Sequence, residues 1–379
     1  MIKRSNPFLI SGYQDPALFC NRESETHNLL NALRNGRHVL LISIRRLGKT
    51  ALIHHVFYQI PDEEAICIYC DLQTTVERKD LINALATALW QSAPKQKAWG
   101  KQLIDMIKSL RPVITFNTLS GQPEVIITSA NKEQEEASLI DLFRMLTGLN
   151  KQVFIALDEF QQIALYPETN TESLLRSIMQ SLTDVTFIFA GSQQHLLTEM
   201  FGSAKKPFFG MTQYMQLNRI SRDDYSAFIL THFNNQNIVL TNEALDYILE
   251  WTGRHTFYTQ HLSNRLFGNA VSSSISLNDV KDACIQILNE YEPLFFSYRN
   301  MIPRQQWNFL KAIALEQPVF MPMAGRFIMD HALVSASAVS RSLEALLEKQ
   351  MIYIDHNEEG KKFYAVYDVY FSRWLHQHS

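Results

Sequence analysis

Lys49 and Thr50 close the run Ser43-Ile44-Arg45-Arg46-Leu47-Gly48-Lys49-Thr50-Ala51. The order small residue, four residues, Gly-Lys-Thr suits phosphate chemistry for stated physical reasons. A loop leaving a strand can wrap phosphates with its backbone N–H groups, and the helix that follows adds its positive dipole end. A lysine at that helix start bridges the β- and γ-phosphates, and the next hydroxyl holds Mg²⁺. The pattern normally opens on glycine, and here Ser43 takes that place. The expected nucleotide contacts are Ser43, Ile44, Arg45, Arg46, Leu47, Gly48, Lys49, Thr50 and Ala51, with ATP and Mg²⁺ as cofactors. Read alone, Gly-Lys-Thr is equally a helix start with a surface lysine.

Leu157-Asp158-Glu159 tips that balance. Two consecutive carboxylates after the apolar run 153–157 fall where α/β sheets bind ligands. Asp158 suits Mg²⁺ held through water, together with Thr50. Glu159 suits polarising an attacking water. The expected catalytic residues are Glu159 and Lys49. A further apolar run ends in Gly191-Ser192-Gln193, and Ser192 or Gln193 stands where a polar side chain can sense the γ-phosphate. The plain alternative there is a turn.

These groups need strands to place them. His38 to Ile42, 65–72, 153–157, 186–190 and 214–217 are short apolar runs, read as buried parallel strands. Helical patterns lie between them: one starting at 28–33, then Lys49–Gln59, Lys79–Gln91 and Ala137–Leu149. Strands alternating with helices predict an α/β fold with a parallel sheet covered on both faces. A β-hairpin, 113–116 and 125–128 about Ser120-Gly121-Gln122-Pro123, interrupts the alternation. Residues 218–301 read as four helices, starting at Ser221, Thr241, His255 and Leu277, with no convincing strand. Residues 302–379 read as helices at 305–315, 325–331 and 335–349. A hairpin about Asn357-Glu358-Glu359-Gly360 follows, and the whole makes a winged helix. The predicted division is 1–217, 218–301 and 302–379.

Composition excludes some classes. The chain has 379 residues, 46% hydrophobic and 19% charged, with net charge −3, so no global basic field marks a nucleic-acid binder. Cys67 and Cys70 form a C-x-x-C within a strand pattern. Residues three apart there point to opposite faces, and no second pair completes a zinc site. Two plain buried thiols are expected. Residues 1–7 lack the apolar stretch of a signal peptide, and no run is long enough to span a membrane. The expectation is a soluble cytoplasmic protein.

With these residues in place, the chain resembles the archaeal-type ATPases of the STAND branch of P-loop proteins, relatives of the AAA+ class. The likeness rests on Phe19-Cys20-Asn21-Arg22-Glu23, Arg45-Arg46-Leu47-Gly48-Lys49-Thr50, Leu157-Asp158-Glu159-Phe160-Gln161, Gly191-Ser192, Lys206-Pro207-Phe208-Phe209-Gly210 and the ending 367–375. The resemblance implies a P-loop sheet in the order 5-1-4-3-2, a helical lid and a C-terminal winged helix. It also implies that the segment around Arg22 packs near the nucleotide base. Departures are Ser43, Met211 where the family carries arginine, and Arg254-His255-Thr256 where it carries Gly-His-Pro. The missing arginine predicts slow or partner-dependent hydrolysis, since such a group is worth roughly 10³–10⁵ in rate. Arg45, Arg46 or Arg254 could replace it.

Three functions remain open on these grounds: an ATP-hydrolysing switch, a nucleotide-gated DNA-binding regulator, and a scaffold holding ADP. Ser335, Ser337, Ser340, Arg341, Lys361 and Lys362 could face DNA, but Glu344, Glu348, Asp355, Glu358 and Glu359 oppose it. Expected partners are ATP and ADP. A protein client, DNA through the winged helix and self-association stay open, and no membrane partner is expected.

Overall fold

A computed structural model describes residues 6–94, 96–118, 121–149, 151–270, 273–357 and 359–378. Residues 1–5 of the N-terminal reading, Ser120 of the first hairpin turn and Glu358 of the second lie outside them. The chain divides into two compact units, Gly12–Asn218 and the combination of Met1–Ser11 with Arg219–Ser379.

The first unit is built on a five-stranded parallel sheet. Its strands are β1 (Val39–Ile42), β2 (Ala65–Asp71), β3 (Gln152–Asp158), β4 (Val185–Gly191) and β5 (Gln213–Gln216). In space they run β5-β1-β4-β3-β2, the order the resemblance implied. Every residue of β1 and β4 is buried, as continuous apolar runs require when helices cover both faces. Register sets the site. Ile42 lies beside Gly191, Leu157 beside Phe189, and Asp71 beside Asp158. The loops after β1, β3 and β4 therefore leave the sheet side by side.

The helices α1 (Glu23–Arg34), α2 (Lys49–Tyr58) and α3 (Arg78–Ser92) follow the predicted order, although α1 starts earlier than its apolar pattern suggested. The hairpin pairs Val113–Phe116 with Pro123–Ile126, two residues earlier on its second strand than expected. Pro123 is tolerated because it ends a two-stranded ladder, where a missing N–H costs little. A helix at Ala98–Ser109, which no reading anticipated, precedes the hairpin.

The second unit holds helices Arg222–Asn234, Asn242–Trp251, Thr256–Asn269 and Leu277–Met301. Ser221, Thr241 and Ser276 cap three of them through side-chain oxygens. The reading of 218–301 as strand-free is corrected by a two-residue parallel pair, Val239–Leu240 with Ser274–Ile275. Helices Arg304–Glu316, Gly325–Asp330 and Ala336–Glu348 come next, then the antiparallel strands Ile352–His356 and Lys362–Val366. A last helix, Val369–Gln377, was not expected; it buries Tyr370, Phe371 and Trp374.

Residues 6–11 group with the second unit, whereas the predicted division placed them in the first. Phe8 is buried against the rings of Phe228, Phe233 and Phe267, and Asn264 donates to its carbonyl. That aromatic pocket, invisible to local pattern, ties the segment to the second unit.

Candidate functional site

The loop between β1 and α2 turns through two left-handed residues, Arg46 at φ 63° and Gly48 at φ 94°. Gly48 is the cap of α2, and its conformation favours glycine. Ser43 is not among the left-handed residues, so its side chain meets no backbone objection. That explains how serine stands where the motif usually has glycine. Ser43 is buried, its Oγ has no partner among the described residues, and its N–H donates to the Gly191 carbonyl. Ile44 and Leu47 are buried, Ala51 is half-buried in the first turn of α2, and Arg46 is exposed.

Lys49 is 6% exposed and lies between both carboxylates. Its Nζ is 2.6 Å from Asp158 Oδ1 and 3.2 Å from Glu159 Oε1. Thr50 Oγ1 donates to Asp158 Oδ2 at 2.6 Å. Tyr69, one strand over on β2, donates to the same oxygen at 3.0 Å. Glu159 sits on left-handed backbone at φ 53°, and its Oε2 accepts from Ser192 Oγ at 3.0 Å and from Gln161 Nε2. Arg45 Nε reaches the same Ser192 Oγ at 3.3 Å. Ser192, rather than Gln193 at the cap of the next helix, makes the contact to the carboxylate.

Arg22 is also brought in. Asn21 and Arg22 are both left-handed, and the buried Arg22 guanidinium donates to the Leu47 carbonyl at 3.3 Å and to Glu25 at 2.8 Å. Burial opposes ionisation of Glu25, but the Arg22 hydrogen bond and charge outweigh it and hold that carboxyl below its ordinary range. Met211 packs against the apolar core. Arg254 belongs to the second unit, where it donates to the Ile220 carbonyl.

Gln161 and Tyr69 are functional candidates that motif reading missed. The Asp-Glu-Phe-Gln run contained the first, but nothing local said that its amide folds back on Glu159. Cys67 and Cys70 are free thiols pushed up to about 12, chiefly by burial. Cys70 is buried as expected, whereas Cys67 is half-buried and faces a groove with Tyr13, His54 and Tyr69. Among the described residues no group of three or more His, Cys, Asp or Glu side chains is placed to hold a metal ion. Nor is any described helix long and apolar enough to cross a membrane.

Burial alone would raise the Asp158 pKa. The Lys49 charge, with hydrogen bonds from Lys49, Thr50 and the Glu159 N–H, outweighs it and holds the carboxyl below its ordinary value. A lowered folded pKa contributes stability that is complete above the unfolded value, about 3.9, and is lost as pH falls through the folded one. Urea midpoints of the nucleotide-free protein should therefore drop more steeply below about pH 4 than those of Asp158→Asn. Parallel curves would contradict this assignment.

Residues 33–199 match the family described as an AAA domain, and residues 293–377 match a probable winged helix domain. Among proteins with curated functions, none matched this sequence. Of solved structures, the chain is similar to the Walker-type ATPase PABY2304 of Pyrococcus abyssi, with 17% identity, TM-score 0.67, and 98% of this chain and 99% of that one covered. The ORC2 protein of Aeropyrum pernix is 11% identical with TM-score 0.56, covering 98% of each chain. The ORC1 protein of the same organism, solved in complex with DNA, is 13% identical with TM-score 0.50, covering 96% of this chain and 94% of that one. Likeness at such identity speaks for the fold. The chain thus joins a region that matches the AAA domain family to a C-terminal region that matches a probable winged helix domain, on a P-loop fold.

Proposed function

We propose that this protein is an ATP-binding switch that hydrolyses ATP slowly, with Mg-ATP in the loop 43–50 and Glu159 activating water. The observation that carries the reading is the placement of Lys49 Nζ between Asp158 and Glu159, with Thr50 on the far oxygen of Asp158. Thr50 Oγ1 and Asp158 Oδ2 are hard oxygens brought side by side, the donor chemistry that suits Mg²⁺, which takes few protein ligands and keeps water and phosphate around it. Thr50 and Asp158 would hold the ion, which neutralises charge developing on the phosphates. Lys49 would exchange its carboxylate partners for the β- and γ-phosphates. That exchange leaves Glu159 Oε1 without its lysine and able to accept a proton from water. Arg22 would brace the loop through the Leu47 carbonyl, beside the nucleotide base.

Of the three arginines able to replace the one absent at Met211, Arg45 has the strongest support. It shares Ser192 Oγ with Glu159, whereas Arg46 is exposed and Arg254 serves the Ile220 carbonyl. In this reading 218–301 acts as a lid and 302–379 as the reporting winged helix. Gating of DNA contact is a second reading, supported by the winged helix and by the likeness to an ORC1 protein solved with DNA. Lys361 is paired with Glu359, and Met329 and Val334 are strongly exposed on the same domain. Those features favour a protein client instead.

Single-turnover hydrolysis tests the reading. Glu159→Gln should lose about 10²–10⁴-fold in rate, the usual worth of a general base, while ATP still binds. Equal rates would remove Glu159 from the chemistry.

A further inference from the structure

We propose that Gln161 is the positioning residue that aims Glu159, and that Gly191 is glycine to seat it. The inference rests on the hydrolysis reading above and concerns the same site. Gln161 is fully buried. Its Nε2 donates to Glu159 Oε2, and because an ionised carboxylate only accepts, the amide can face just one way. Its Oε1 is then left buried with no partner among the described residues. A native fold leaves few such groups, since each forgoes the hydration it had when unfolded. The amide is therefore held in an orientation that costs stability, and what it gains is the bond to Glu159.

Gly191 makes room for it. A Cβ there would stand 2.1 Å from Gln161 Oε1 and 2.8 Å from Leu197 Cδ1. The Gly191 backbone is not left-handed, so close approach, not conformation, demands glycine. Glu159 needs such a guide because its long side chain turns about three χ bonds, so the partners of its carboxylate fix where that group points. Three side chains hold it: Lys49, Ser192 and Gln161. In the hydrolysis reading the first two turn toward phosphate when nucleotide enters. Gln161, buried beneath them, has no phosphate to turn to. It keeps the carboxylate aimed while the other holders leave.

The test uses the full chain. Gln161→Met keeps the length and removes the donor; it should lower kcat by about 10–100-fold, the cost of a misaimed group. ATP affinity, KM and thermal midpoint should stay within about twofold or a few degrees. Gly191→Ala, which pushes the amide away, should act in the same direction. In a Glu159→Gln background, Gln161→Met should cause no further loss. Loss of rate in Glu159→Gln with full kcat in Gln161→Met would overturn this inference alone. Loss that adds to Glu159→Gln, or that comes with weaker ATP binding, would make Gln161 structural and overturn it as well. An unchanged rate in Glu159→Gln would instead sink the hydrolysis reading on which it stands.

Discussion

Lys49→Ala should weaken ATP binding by about 100-fold or more and, in the same stroke, destabilise the nucleotide-free first unit. The two effects share one cause. Lys49 is a buried point charge whose present partners are Asp158 and Glu159 and whose proposed partners are phosphates. Each charge-assisted bond to phosphate is worth about 1.5–3 kcal/mol, and tenfold in affinity costs about 1.4. A lysine bridging two phosphates thus carries about two decades. Without nucleotide, its loss leaves two carboxylates side by side without the lysine that bonds to both. Breaking a buried pair from one side costs about 3–5 kcal/mol. The low end applies here, because Thr50 and Tyr69 still donate to Asp158 and Glu159 keeps some contact with water. Calorimetric titration with ATP and urea melts without it would read both. Unchanged ATP affinity would refute the placement of nucleotide at this loop.

The parts of this site that were legible in the sequence are those in which local pattern and chemistry coincide. Gly48-Lys49-Thr50 and Asp158-Glu159 each follow a short, fully apolar run, and such runs between turn signals report buried strands without knowledge of their partners. The pair Ser192-Gln193 was legible for the same reason, after β4, although only the structure chose Ser192 as the partner of Glu159. Residues that reach the site across the sheet were not. Tyr69 touches Asp158 only because β2 and β3 pair with Asp71 opposite Asp158, and register is a tertiary property. Gln161 required the 3₁₀ turn Phe160–Leu165, which curls the chain back under Glu159. The helix Ala98–Ser109 escaped notice because it follows Pro94 and carries Gly100, both weak helix signals. Gly100 is there by necessity, since a Cβ would lie 2.1 Å from the Pro94 carbonyl oxygen.

Arg78 sharpens the point, because the sequence offers it only as an ordinary residue at a helix start. It is 1% exposed, the first residue of α3. A cation there opposes the helix dipole, and burying it costs hydration as well. Acids and an amide offset both. Its Nη1 donates to Glu136 Oε1 and Asn170 Oδ1 at 3.0 Å each, and its Nε reaches Glu135 at 3.5 Å. Its backbone N–H donates to Glu168 at 3.1 Å. The guanidinium therefore fastens the start of α3 to the start of the helix Lys132–Thr147 and to Asn170, and the backbone N–H adds Glu168. Arg78→Ala should cost about 3 kcal/mol, at the low end for a one-sided break, because Glu136 can rehydrate at its exposed edge. Arg78→Met, which fills the space without the charge, should cost about half as much, since apolar replacement of a buried ion removes the desolvation penalty too. Arg78→Lys should fall nearer to Ala, because a single ammonium cannot reproduce the planar fan of donors. Hydrogen exchange of the α3 amides would read the order: about 100-fold faster in Ala, least changed in Met. If Met were as damaging as Ala, the charge network, rather than the volume of the side chain, would carry the whole of the stabilisation. If α3 exchanged unchanged in all three, Arg78 would tie nothing together.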